Sequence, residues 1–188
     1  METPPEHFID TLTRFRIPYV LSNFMSMHLG DPPQLPDGTN SVVSDYRAMI
    51  DDIFRFAADR GYRSVGFSGM LGRCADGARR AAALFKKYAL YDSSSLMTGA
   101  SGRPDVPACV RSAARMKTLA VIDHRATAVQ FYLAIRGKRT GLGLLAMDSF
   151  PEYELFEPRI SHIEQDIDAI AQACMSLLSC MIHERTTI

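Results

Sequence analysis

The stretch LAVIDHRATAVQFYLAIRGKRTGLGLLAMD, residues 119–148, decides the fold. It opens with an apolar run, Leu119 to Ile122, closed by Asp123. A short apolar run that stops on a charged residue reads as a buried strand. Over 125–136, Ala128, Val129, Tyr132, Leu133 and Ile135 return at helical steps, which predicts an amphipathic helix. Leu142 to Met147 is a second apolar run, closed by Asp148. Strands that are apolar throughout and joined by a helix belong to a parallel sheet covered on both faces.

Reading outward from this stretch extends the alternation. Ser64 to Phe67 predicts the preceding strand, followed by an alanine-rich helix over 76–90 and a possible strand start at Tyr88 to Tyr91. Upstream, a helix opens near Asp45 and carries Met49, Ile50, Ile53, Phe54, Ala57 and Ala58 on one side. Arg60 and Gly61 end it, because glycine accepts the left-handed conformation that closes helices. Ile17 to Leu21 reads as a buried strand with Pro18 near its start, behind the end of a helix at 8–15. Residues 25–40 and 92–107 read as loops, Ser41 to Ser44 as a brief extended segment, and 108–116 as a short helix. The last helix is placed at 163–182, where Ile163, Ile167, Ile170, Cys174, Leu177, Leu178 and Met181 form one apolar stripe. The fold class expected is α/β, a doubly wound parallel sheet.

In such sheets ligands collect at the carboxyl ends of the strands. Asp123 and Asp148 both stand at predicted strand ends. A carboxylate there can accept two hydroxyl hydrogen bonds from a polyol, or it can cap the helix or turn that follows. The residues alone leave both roles open.

Composition narrows the function. The 188 residues are 47% apolar and 22% charged, enough for a sizeable core under an ordinary surface. Lys and Arg number 21 and Asp and Glu number 21, so the chain lacks the basic excess of a free-standing nucleic-acid binder. It has no apolar run of membrane-spanning length, and METPPEH at the start does not read as a secretory signal. The expectation is a cytoplasmic protein. Cys74, Cys109, Cys174 and Cys180 lack metal-ligand spacing and read as reduced, structural thiols. No phosphate-binding glycine loop, nucleophile elbow or metal pair is found, so no catalytic residue, cofactor or metal is expected. His124 beside Asp123 could be read as a base, but adjacent side chains more often point apart.

Four stretches, in order, carry a resemblance. RIPYVLSN at 16–23 resembles a strand of pattern IPVV followed by a polar residue. Residues 42–69 are similar to a run ending in GHRRIAFIGG, LAVIDHRATA at 119–128 to FAANDxxAxG, and AMDSFPEYELFEPRISHIEQD at 146–166 to GFDDxPxxxxLxPPLTTVxQD. These patterns belong to the lactose/galactose-repressor family, whose sensor domain has the type I periplasmic-binding-protein-like fold, and the match runs from about 16 to 180.

The resemblance implies a small-molecule effector, a sugar or related metabolite, held in the gap between two lobes. Asp123 takes the place of the acid in ND and Asp148 that of the first acid in FDD, while Ile122 and Ser149 replace the family's other polar residues. Arg79 and Arg80 are the candidates for the family's arginine, and Asn23 ends the first matched strand. The implied organisation is a remnant of the first lobe and crossover at 1–44, a complete second lobe at 45–155, and a crossover with C-terminal helix at 156–188. DNA would be reached only through a helix-turn-helix absent from this chain. A homodimer is expected, since the stripe of the last helix would lack most of its family partner. The alternatives are a solute-binding protein for transport and a fragment that binds nothing.

Overall fold

The computed structural model describes residues 6–22, 40–42, 44–68, 75–93, 105–113 and 116–186. In chain order the elements are α1 (Glu6–Arg14), β1 (Val20–Ser22), β2 (Asn40–Val42), α2 (Tyr46–Asp59), β3 (Ser64–Ser68), α3 (Ala75–Tyr88), β4 (Tyr91–Asp92), α4 (Val106–Ala113), β5 (Thr118–Ile122), α5 (Arg125–Ile135), β6 (Leu142–Met147), a 3-10 turn (Pro151–Leu155), β7 (His162–Ile163) and α6 (Ile167–Thr186). They divide into two units, Met1–Asp45 with Asp166–Ile188, and Tyr46–Gln165. Residues 156–165 thus group with the central segment, because β7 is hydrogen-bonded to β6.

In the central unit the described strands form one parallel sheet of order β4-β3-β5-β6-β7. The chain steps from β3 outward to β4, then returns past β3 to β5. That reversal places the topological switch point between β3 and β5. Every residue of β3 and of β5 is buried, as a sheet covered on both faces requires. On one face Phe54 of α2 meets Phe67 of β3 at 6.0 Å and Phe85 of α3 edge-on at 4.8 Å. On the other, Ala120, Ile122, Leu142 and Ala146 pack with Ala128, Phe131 and Tyr132 of α5 and with Val106 and Cys109 of α4. Two of the hydroxyls buried in the sheet answer each other: Ser64 Oγ and Thr118 Oγ1 are 2.6 Å apart.

The boundaries follow local chemistry. The N–H of Gly61 donates to the carbonyl of Ala58 and the N–H of Tyr62 to that of Ala57, with Gly61 at φ +66°. This paired closure is the one that glycine permits. Tyr62 then lies against Gly143 of β6, where an added Cβ would stand 2.7 Å from Tyr62 Cε1 and closer still to its hydroxyl. Gly143→Ala is therefore expected to destabilise the chain by about 1–3 kcal/mol, as overpacking does. A thermal melt checks it, and Tyr62→Ala in the same chain should relieve the loss.

The remaining unit is thinner. β1 and β2 pair in parallel, Val20 opposite Asn40, and α6 packs on both. The ladder begins at Val20 rather than at Ile17, because Pro18 has no N–H to give. α6 begins at Ile167, four residues later than the stripe suggested. Asp166 fixes that start: its Oδ1 accepts the Ala169 N–H at 2.9 Å, as a helix cap does. Ile163 belongs instead to β7, opposite Met147. Ile170, Cys174, Leu177, Leu178 and Met181 are half-buried, whereas Ile167 and Met175 are 60% and 66% exposed. Among the described residues of this unit, Ile9 is the one fully buried apolar side chain.

No helix among the described residues is long and apolar enough to cross a membrane.

Candidate functional site

The carboxyl ends of β5 and β6 lie side by side. Ile122 pairs with Ala146, so Asp123 stands level with Met147 and Asp148 one residue beyond. Parallel neighbours are about 4.8 Å apart, which brings both acids to one short edge of the sheet. Both are half-buried.

Asp148 is the more constrained of the two. Its backbone is left-handed, φ +65°, a conformation that Asp tolerates better than most side chains. Gln165 Nε2 donates to its Oδ1 at 2.6 Å, a short bond to a charged acceptor. Oδ2 has no hydrogen-bond partner among the described residues. The carboxylate is thus clamped by one oxygen and presents the other. Asp123 precedes the capping position of α5, which is His124, and His124 makes no side-chain cap. For Asp148 the following 3-10 turn is capped at Phe150, two residues later. The N-cap positions of the elements that follow are thus His124 and Phe150.

The other expected residues fall differently. Arg79 and Arg80 are exposed on α3. Arg80 forms a two-pronged pair with Asp51 of α2, Nε to Oδ1 at 2.9 Å and Nη2 to Oδ2. The Arg80 hydrogen bond holds the Asp51 carboxyl below its ordinary range, and the Arg80 charge adds to it. Arg80 therefore ties α3 to α2. Asn23 lies outside the described residues.

Sequence reasoning passed over several neighbours. Gln165 is the penultimate residue of the fourth matched stretch, yet its bond to Asp148 spans 17 residues and has no local signal. Arg125, at the start of α5, reaches Glu152 with Nη1 at 3.0 Å from Oε1 and lies 5.4 Å over the Phe150 ring. Tyr153 packs edge-on to Phe150 at 5.5 Å and tilted to His162 at 6.1 Å. Among the described residues, no group of three or more His, Cys, Asp or Glu could hold a metal ion.

No protein-family model matches the chain, and no curated protein matches it in sequence. Solved structures do. The LacI family transcriptional regulator CCPA from Weissella paramesenteroides, with bound sucrose, matches with a TM-score of 0.63 at 15% identity. The match covers 93% of this chain and 66% of that one. A LacI family transcriptional regulator from Lactobacillus casei, with bound glucose, matches with a TM-score of 0.63 at 13% identity, over 95% of this chain and 77% of its own. A periplasmic binding protein/LacI transcriptional regulator from Alkaliphilus metalliredigens QYMF, complexed with D-xylulofuranose, matches with a TM-score of 0.58 at 14% identity, over 95% and 74%.

The chain has the LacI-type fold. That fold, periplasmic-binding-protein-like and built on parallel sheets, agrees with the strand order of the central unit. This chain spans 66% of the length of the Weissella protein. The ends of β5 and β6 lie on the carboxyl side of the sheet, where doubly wound proteins gather ligands, and β5 is the one of the two that borders the switch point.

Proposed function

We propose that this chain is the effector-sensing part of a bacterial transcription regulator and holds a sugar or a related polyhydroxylated metabolite. The observation that carries the reading is the pair of acids on adjacent parallel strand ends, Asp148 clamped by Gln165 with Oδ2 turned to no described partner. A carboxylate so held is a preorganised acceptor for ligand hydroxyls, and bonds to a charged acceptor are the stronger kind. The sucrose, glucose and D-xylulofuranose in the fold's neighbours support a ligand of that chemistry.

Asp123 and Asp148 are the primary contacts in this reading. Arg79 and Arg80 are its candidate arginines, Arg80 also bridging to Asp51. The protein works in the cytoplasm as a homodimer, without catalysis or cofactor, and reaches DNA through a helix-turn-helix outside this chain. Ligand biases the sensor between two conformations by its differential affinity for them.

Thermal shift with D-glucose, sucrose and D-xylulose tests the reading. A ligand at a hundred times its Kd stabilises by about 2.7 kcal/mol, a shift of several degrees for a chain of this size. No shift with any sugar overturns it. The Alkaliphilus neighbour, named as a periplasmic binding protein as well as a regulator, favours one second reading, a solute-binding protein for transport. An in-frame helix-turn-helix in the gene supports the regulator; a leader peptide supports transport.

A further inference from the structure

Tyr153 lies five residues beyond Asp148, in the 3-10 turn that leaves β6. Its side chain is 1% exposed and belongs to the same apolar cluster as Ile122, Ala128 and Ala146. Its hydroxyl is buried and has no hydrogen-bond partner among the described residues. Buried tyrosine hydroxyls nearly always find one, and a group left unmatched weakens the fold. Phenylalanine would supply every ring contact without that penalty. The ring is held by Phe150 at 5.5 Å and His162 at 6.1 Å, so the hydroxyl has a fixed place.

The surroundings point to a ligand. Asp148, with its open oxygen, and Arg125, at the start of α5, both act electrostatically on the Tyr153 phenol. Burial, the larger influence, pushes its pKa up, so the group stays a neutral O–H able to donate or accept. Tyr153 itself stands in the turn Pro151–Leu155, whose Glu152, Glu154 and Leu155 are exposed, the last by 83%, so a ligand would reach the hydroxyl by displacing part of that turn.

We propose that the Tyr153 hydroxyl is a further recognition group, pairing with a ligand hydroxyl at the same sheet edge as Asp148; this rests on the sugar reading above. Asp148 then supplies an acceptor and Tyr153 a donor, so the site selects a ligand carrying two suitably spaced hydroxyls.

The test titrates wild type and Tyr153→Phe with D-glucose, sucrose and D-xylulose by calorimetry, and measures each protein's unfolding temperature without ligand. The sugar that binds wild type is expected to bind Tyr153→Phe about tenfold more weakly. The unliganded variant should melt at the same temperature or higher, since it buries no unmatched hydroxyl. Equal affinities overturn the role of Tyr153 and leave the sugar reading standing. A variant that melts several degrees lower overturns it too, by showing that the hydroxyl supports the fold. Wild type that binds none of the sugars overturns both readings.

Discussion

Asp148→Ala is expected to weaken sugar binding at least about a hundredfold while leaving the chain folded. Hydrogen bonds to a charged group contribute about 1.5–3 kcal/mol each, and 1.4 kcal/mol is tenfold in affinity. A carboxylate that accepts two ligand hydroxyls therefore carries about two orders of magnitude. The left-handed backbone at 148 complicates alanine, whose side chain tolerates φ +65° poorly. Asp148→Gly removes that complication, because glycine adopts the conformation freely. Both variants should lose the sugar-induced shift, with Asp148→Gly the more stable of the two. Gln165→Ala should lose less, about three- to tenfold, because it releases Oδ1 without removing the acceptor. Isothermal titration with whichever sugar stabilises wild type measures all three. If Asp123→Ala and Asp148→Ala both bind that sugar as wild type does, the site is elsewhere.

The centre of the sheet was legible because β5 and β6 are apolar almost throughout. Leu142 to Met147 falls where the sequence put it, and β5 differs by one residue, because no surface strand would be apolar on both faces. The register that sets Asp123 beside Asp148 follows from parallel pairing, which the length of the intervening helix dictates. What was not legible is long in range. Gln165 reaches back over 17 residues, and nothing at 165 announces it. Arg80 pairs with Asp51, 29 residues away, a contact that a linear reading does not show. The start of α6 was misplaced because an apolar period cannot tell Ile163, a strand residue, from Ile167, a helix residue. The cap at Asp166 separates them. The unpartnered hydroxyl of Tyr153 is invisible in sequence, where a buried tyrosine and a solvated one read alike.

Sedimentation is expected to show the chain as a dimer, and Met175→Glu with Ile182→Glu to convert it to a monomer. α6 rests on a sheet of only two described strands, which leaves part of its surface uncovered. Ile167, Met175 and Ile182 recur at steps of eight and seven residues, so they share one helical face, and all three are exposed. Phe8 and Phe15 of the same unit are also exposed. Burying a fully exposed large apolar side chain contributes about 1.5–3 kcal/mol, and these are 60%, 66% and 46% exposed, so the three from each protomer together offer a driving force of several kcal/mol. A second copy is the occupant that brings the same apolar face, and a two-fold axis places identical patches against each other. In that arrangement two substitutions per chain put four carboxylates into the contact, unpaired, which should weaken association more than a hundredfold. The variants leave the half-buried face of α6 untouched, so its packing on β1 and β2 should persist and the helical content stay unchanged. Wild type that sediments as a monomer at every concentration tested would mean that the exposed face of α6 has another partner or none.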